Sequence, residues 1–188
     1  MSRWQPDARG RLEKAALELY AAQGFDATTV AEIADRAGLT ERTFFRHFTD
    51  KREVLFSGQA TLTASMVAAV AEAAPEASLI DVVSAAVRAA GAIIGARRDS
   101  ARRRQAVIDA NPGLRERELI KLATLATALT DALRARGLDD RAARLTAEVG
   151  VALFKVAFEQ WIRADGDARF DDVLEDSIAE LRVVTAAG

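Results

Sequence analysis

Apolar residues recur three and four positions apart along almost the whole of this 188-residue chain, and that spacing confines it to helices. Leu12, Ala15, Ala16, Leu19 and Tyr20 mark one face of a first helix, which ends at Gln23 before Gly24, a residue suited to the left-handed position after a helix. No run combines polar and apolar alternation with β-branched residues as a half-buried strand does. The pattern predicts an all-α fold of about nine helices.

Capping residues set the expected boundaries. Thr29 and Glu32 have capping-box spacing, and Val30, Ile33, Ala34 and Ala37 form the buried face of a short second helix that stops at Gly38. Thr40 caps a third helix whose apolar face is Phe44 and Phe48. Asp50 and Glu53 repeat the spacing and open a long fourth helix through Val54, Leu55, Leu62, Met66 and Val70 toward Pro75. Ser78 caps a fifth helix that buries Leu79, Val82, Val83, Ala86, Val87, Ala90, Ile93 and Ile94, and Arg97 to Asp109 forms a sixth. Asn111-Pro112-Gly113 interrupts the chain before a seventh helix, Leu114 to Arg136, which Gly137 stops. Asp139 or Asp140 caps an eighth ending near Gly166, and Phe170 to Thr185 is the last. Without a Pro/Gly/Ser-rich linker, the expected organisation is a helix-turn-helix domain over residues 1–52 and a larger helical domain over residues 53–188, sharing the fourth helix.

Composition narrows the function classes. With no cysteine, disulfides, zinc fingers and thiol catalysis are excluded, and the cytoplasm is the default compartment. Met1 to Gly10 lacks the apolar stretch of a secretory signal, and the most apolar candidate for a membrane span, Val82 to Ala96, is interrupted by Arg88, so no membrane partner is expected. A single histidine, no phosphate-cradling glycine loop and no carboxylate-histidine constellation argue against an enzyme and give no cofactor or metal site. Net charge is −2, and residues 1–58 carry nine cations and nine anions, so any affinity for nucleic acid has to be local. Between Gly38 and Arg52 the cations Arg42, Arg46, Lys51 and Arg52 face only Glu41 and Asp50, with Arg3, Arg9 and Arg11 in the preceding tail.

The segment Thr29 to Phe48 therefore reads as two short helices around a glycine turn, the geometry of a helix-turn-helix. Burying Phe44 and Phe48 turns Glu41, Arg42, Arg46 and Thr43 toward a major groove, while the phase of so short a helix leaves Phe45 either beside them or in the core. Arg46 is the candidate base reader, since a guanidinium pairs both acceptors on a guanine edge. Phosphate contacts are expected from Thr28 or Thr29, His47 and Lys51, with the capping Thr40 also counted in the DNA-binding set; the alternative for His47 is a packing role. Phe44-Phe45-Arg46-His47-Phe48 followed by Asp50-Lys51-Arg52-Glu53-Val54-Leu55 resembles the TetR/AcrR family of one-component bacterial regulators over the first 58 residues. That resemblance implies a regulator, more often a repressor, with a C-terminal domain that binds a ligand and dimerises. Phe45 stands where such families commonly carry tyrosine, so the phosphate bond of that hydroxyl is lost.

In the C-terminal part, Met66, Val87, Ile94, Ile108, Phe154, Phe158 and Trp161 lie on helices expected to surround a pocket, with ordinary core packing as the alternative. The stretch Asn111-Pro112-Gly113-Leu114-Arg115-Glu116-Arg117, with Trp161 near the end of the eighth helix, looks similar to a subgroup associated with acyl-coenzyme A recognition. On that resemblance the arginines of the run Arg97 to Arg104, Arg98 and Arg104 among them, are expected to hold coenzyme A phosphates, while the plain reading of such a run is a solvated face. Gly91 and Gly95 read as close helix packing. Val149, Val151, Val156, Leu174, Ile178 and Leu181 are the expected homodimer interface, and two-fold symmetry implies a near-palindromic double-stranded operator. The competing reading is a helical module that binds protein rather than DNA.

Overall fold

The computed structural model describes residues 7–186, which form nine α-helices and two short 3₁₀ turns, with no strand among the described residues. Arg3, expected to add charge in the N-terminal tail, lies outside them. The chain divides into two compact units, Met1–Ser57 with Arg102–Glu118, and Gly58–Ala101 with Leu119–Gly188. It passes between them at Ser57 and again within helices α6 and α7.

The first unit contains α1 (Ala8–Gln23), α2 (Val30–Arg36), α3 (Glu41–His47), a 3₁₀ turn (Glu53–Phe56), most of α6 (Arg98–Asp109) and the start of α7 (Pro112–Ala135). Its core is Leu12, Ala16, Tyr20, Ile33, Phe44, Phe48, Leu55 and Phe56, joined by Ile108 and Leu114. The capping box of α2 is complete, with the Thr29 hydroxyl accepting the Glu32 N–H (3.2 Å) and the Glu32 carboxylate accepting the Thr29 N–H (2.8 Å). That backbone bond, reinforced by the Thr29 hydroxyl, holds the Glu32 carboxyl below its usual range. Gly38 closes the turn at φ 65°, a conformation that favours glycine.

Partly buried and surface cations tie this unit together, mostly through backbone carbonyls. Lys51 Nζ donates to the carbonyls of Phe25 (2.8 Å), Asp26 (3.1 Å) and Thr28 (2.8 Å), and lies 4.5 Å from the Phe25 ring centroid. The Tyr20 hydroxyl donates to the Lys51 carbonyl (2.6 Å), and burial, with a lesser effect from Asp50, pushes this phenol well above its ordinary range. Arg104 gives Nε to the Leu55 carbonyl (2.5 Å), meets Glu118 (3.3 Å) and stacks over Phe56, while Arg117 pairs with Glu53 (2.6 Å). Desolvation lowers the Arg104 pKa and Glu118 opposes that. The tail arginines are used in the same way: Arg9 donates to the Ser57 carbonyl and covers the Phe48 ring, and Arg11 donates to the Ala37 carbonyl at the end of α2. They are ties rather than free tail charge.

The second unit packs α4 (Gln59–Glu72), α5 (Leu79–Ile94), the rest of α7, α8 (Asp140–Arg163) and α9 (Phe170–Ala186) around Met66, Val87, Leu125, Leu129, Leu133, Leu153, Trp161 and Leu174. Ser78 caps α5 and Asp139 caps α8, as their spacing predicts. Gly91 lets Phe170 approach so closely that a Cβ would stand 2.3 Å from its ring. Arg136 closes the end of α4 through the carbonyls of Val70 (3.0 Å), Ala73 (2.7 Å) and Ala74 (2.9 Å).

Two expectations about the helices are corrected. The fourth helix is not continuous: Asp50 does accept the N–H groups of Arg52 and Glu53, but these open only the 3₁₀ turn Glu53–Phe56, and α4 starts anew at Gln59 after Gly58. Leu79 and Ile93 are exposed, because α5 directs only the Val82, Ala86 and Val87 face inward. Residues Glu53–Glu72 and Leu79–Asp109 have the length and hydropathy of membrane spans. Both are broken, at Ser57–Gly58 and at the 3₁₀ turn Gly95–Arg97, into helices of 14 and 16 residues, each shorter than a bilayer core of about 30 Å.

Lys51→Met should lower unfolding stability by about 2 kcal/mol, the worth of losing a cation from three carbonyls, in urea denaturation at neutral pH. An unchanged midpoint would show that the ammonium ties nothing.

Candidate nucleic-acid interface

Helix α3 is held from beneath and offers its opposite face to solvent. Thr40 caps it by accepting the Thr43 N–H (3.2 Å), and Phe44 and Phe48 are buried, their ring centroids 5.4 Å apart. At about 100° per residue this leaves Glu41, Arg42, Phe45 and Arg46 outside. Phe45 is 55% exposed and meets Phe44 edge-on, with centroids 5.5 Å apart and planes at 83°. The structure thus resolves the open phase of the helix in favour of an outward Phe45.

Glu41, Arg42 and Arg46 make no hydrogen bond or ion pair within the described residues, which sets them apart from the cations that tie the core. The hydroxyls of Thr40 and Thr43 lie 3.1 Å apart, so one donates to the other and one hydrogen stays available to a partner. Two free guanidinium groups, a hydroxyl hydrogen and an exposed ring on one helix face match the donor and apolar content of a major-groove reader.

Other expected contacts lie elsewhere. Thr28 is buried and donates its hydroxyl to the Gly24 carbonyl (2.7 Å), and the Thr29 hydroxyl is shared with Glu32 (2.9 Å), so neither is offered to a phosphate. Lys51 is consumed by its three carbonyls. The His47 Nε2 is buried without a hydrogen-bond partner and its ring lies beside Phe48 (centroids 6.4 Å), which favours the packing role.

The expected ligand residues do not form one constellation. Met66, Val87 and Trp161 are closed within the core of the second unit, with Ile94, Phe154 and Phe158 partly buried against it. Ile108 belongs to the core of the first unit instead. Arg98 is engaged at the end of α8, donating to the carbonyls of Trp161 (2.8 Å), Gly166 (2.6 Å) and Ala164, and Arg104 is held by Leu55 and Glu118. Neither guanidinium is free for a coenzyme A phosphate. Arg98 and Arg136 as closures of helix ends were missed in the sequence, which carries no local signal for them, since their carbonyl partners stand 62 to 68 residues away.

Comparison with known proteins agrees with this architecture. The family of bacterial regulatory proteins of the tetR family matches residues 12–57, and the MftR C-terminal domain family matches residues 77–186. The transcriptional regulator TcmR of Streptomyces glaucescens is 30% identical over 173 residues, covering 85% of this chain and 75% of the relative. Among solved structures, FadR from Bacillus subtilis in complex with stearoyl-CoA superposes with a TM-score of 0.63 at 18% identity, covering 92% of this chain and 96% of that one. Thermus thermophilus FadR, in complex with lauroyl-CoA, gives 0.55 at 22% identity, covering 93% of each chain. At such identities the structural likeness speaks for the fold, and the sequence matches carry the assignment: the chain belongs to the TetR family and is a DNA-binding transcriptional regulator.

Proposed function

We propose that this regulator is a cytoplasmic repressor that binds a near-palindromic operator as a homodimer through α3 and is released by a lipophilic small molecule, with acyl-coenzyme A thioesters the first class to test. The observation that carries the DNA arm is the free face of α3, where Arg42 and Arg46 stand unpaired beside Phe45 over a fully buried Phe44. Arg46 reads a guanine edge, and Arg42 with the Thr40–Thr43 hydroxyl pair serves the adjoining bases or phosphates.

Dimerisation is supported by an apolar stripe on α8. Leu145 (60% exposed), Val149 (38%) and Val156 (47%) succeed one another at intervals of four and seven, and Val183 and Val184 are exposed on α9. Val151, Leu174 and Ile178, also expected at the interface, are core residues, so the proposed surface is narrower than the sequence suggested. A two-fold pairing of this stripe with itself implies half-sites about 34–36 Å apart or a multiple of that.

The ligand arm is supported by the apolar interior of the second unit, where Phe154 and Phe158 stack at 6.0 Å and are only partly buried, and by the acyl-CoA complexes of the two FadR structures. With Arg98 and Arg104 engaged internally, recognition of the coenzyme falls to other groups.

Three outcomes are expected. With an operator recovered from random DNA, Arg46→Ala should lose about 1–3 kcal/mol on that operator and little on scrambled DNA in fluorescence anisotropy; equal losses on both would refute base reading. Native mass spectrometry should find a dimer for the wild type and a monomer for Val149→Asp, whereas a monomeric wild type would remove the two-fold model. Lauroyl-CoA at about 100 times its dissociation constant should stabilise the fold by about 2.7 kcal/mol in thermal unfolding, and no shift with any acyl-CoA tried would discard that ligand class.

A further inference from the structure

Phe45 is the one apolar side chain among the four that α3 exposes, and its surroundings restrict what it can touch. Its ring is 55% exposed and leans edge-on against Phe44, which is itself fully buried, so the ring is braced from the core side. Three positions before it stands Arg42 and one after it Arg46, both without partners within the described residues. An apolar protein surface docked here would have to bury both guanidinium groups unpaired, which is costly. A polyanion would satisfy them.

In the major groove a phenyl ring can neither donate to nor accept from phosphates or base edges. The apolar group available there in ordinary DNA is the 5-methyl of thymine, and a phenylalanine is among the side chains suited to it. We propose that Phe45 reads a thymine methyl in each operator half-site, and so acts as a specificity-determining residue alongside Arg46. The proposal rests on the reading of α3 as the recognition helix. Because adjacent helix residues rise about 1.5 Å and adjacent base pairs about 3.4 Å, the thymine lies within about two base pairs of the guanine that Arg46 reads.

The consequence is a dependence on one methyl group, which can be removed without altering any hydrogen-bonding group of the base. In an operator recovered by selection from random DNA, each thymine is replaced in turn by deoxyuridine, and affinity is measured for the wild type, Phe45→Ala and Phe45→Leu. The wild type should lose about tenfold at one thymine per half-site and little elsewhere. Phe45→Ala should bind the thymine and uracil operators equally at that position, and Phe45→Leu should retain part of the difference. Since the exposed Phe45 touches the core through its edge-on contact with Phe44, both variants should still melt cooperatively by circular dichroism, with a midpoint lowered by a few degrees at most. A flat uracil scan in the wild type, or a methyl dependence that survives in Phe45→Ala, overturns the methyl contact while leaving α3 a DNA reader. Failure to recover any operator would overturn both readings.

Discussion

Burial of Phe44 and Phe48 is the constraint on which the DNA-reading face depends. A helix of seven residues has no stability of its own in water, so α3 exists only because these two rings are packed against the core of the first unit. Once they are fixed, helical geometry determines which side chains remain outside, and the same packing that makes α3 stable makes Arg42, Phe45 and Arg46 available. Stability and recognition are thus opposite faces of one seven-residue element. Thr40 contributes to both, by capping the helix and by pairing its hydroxyl with that of Thr43 on the exposed side.

A second theme is how the chain uses its cations. Lys51, Arg9 and Arg11 in the first unit, and Arg98 and Arg136 in the second, each donate to backbone carbonyls, several at helix ends where intrahelical partners run out. Such charges hold loops and helix termini in place and contribute little field toward a distant ligand. The unpaired guanidinium groups of α3 stand out against this background. A protein of net charge −2 can still bind a polyanion through cations set side by side on the element that enters the groove, as Arg42 and Arg46 are on α3.

Most of the helices and caps could be read directly from residue spacing. The capping box at Thr29 and Glu32, the Thr40, Ser78 and Asp139 caps and the buried pair Phe44 and Phe48 all lie where local chemistry alone requires them. What was not legible depends on tertiary partners. Nothing local distinguishes Lys51 as a phosphate contact from Lys51 as a cross-link, because its carbonyl partners are 23 to 26 residues away. Arg98 reaches carbonyls 63 to 68 residues distant, so the arginine run looked like a free patch. Ile108 has the same periodicity as the pocket candidates and differs only in the core it joins. The break at Ser57–Gly58 escaped because Asp50 and Glu53 carry a genuine capping signal, which the chain uses for a 3₁₀ turn instead of a long helix.

The role of α3 as a DNA-reading element is tested most directly by the salt dependence of binding to a selected operator and to a scrambled duplex of the same length. Neutralising several phosphates requires affinity for both to fall steeply and linearly on logarithmic axes, with the operator held about 10³-fold or more tighter throughout. Binding that is insensitive to salt, or equal on the two duplexes, would contradict it.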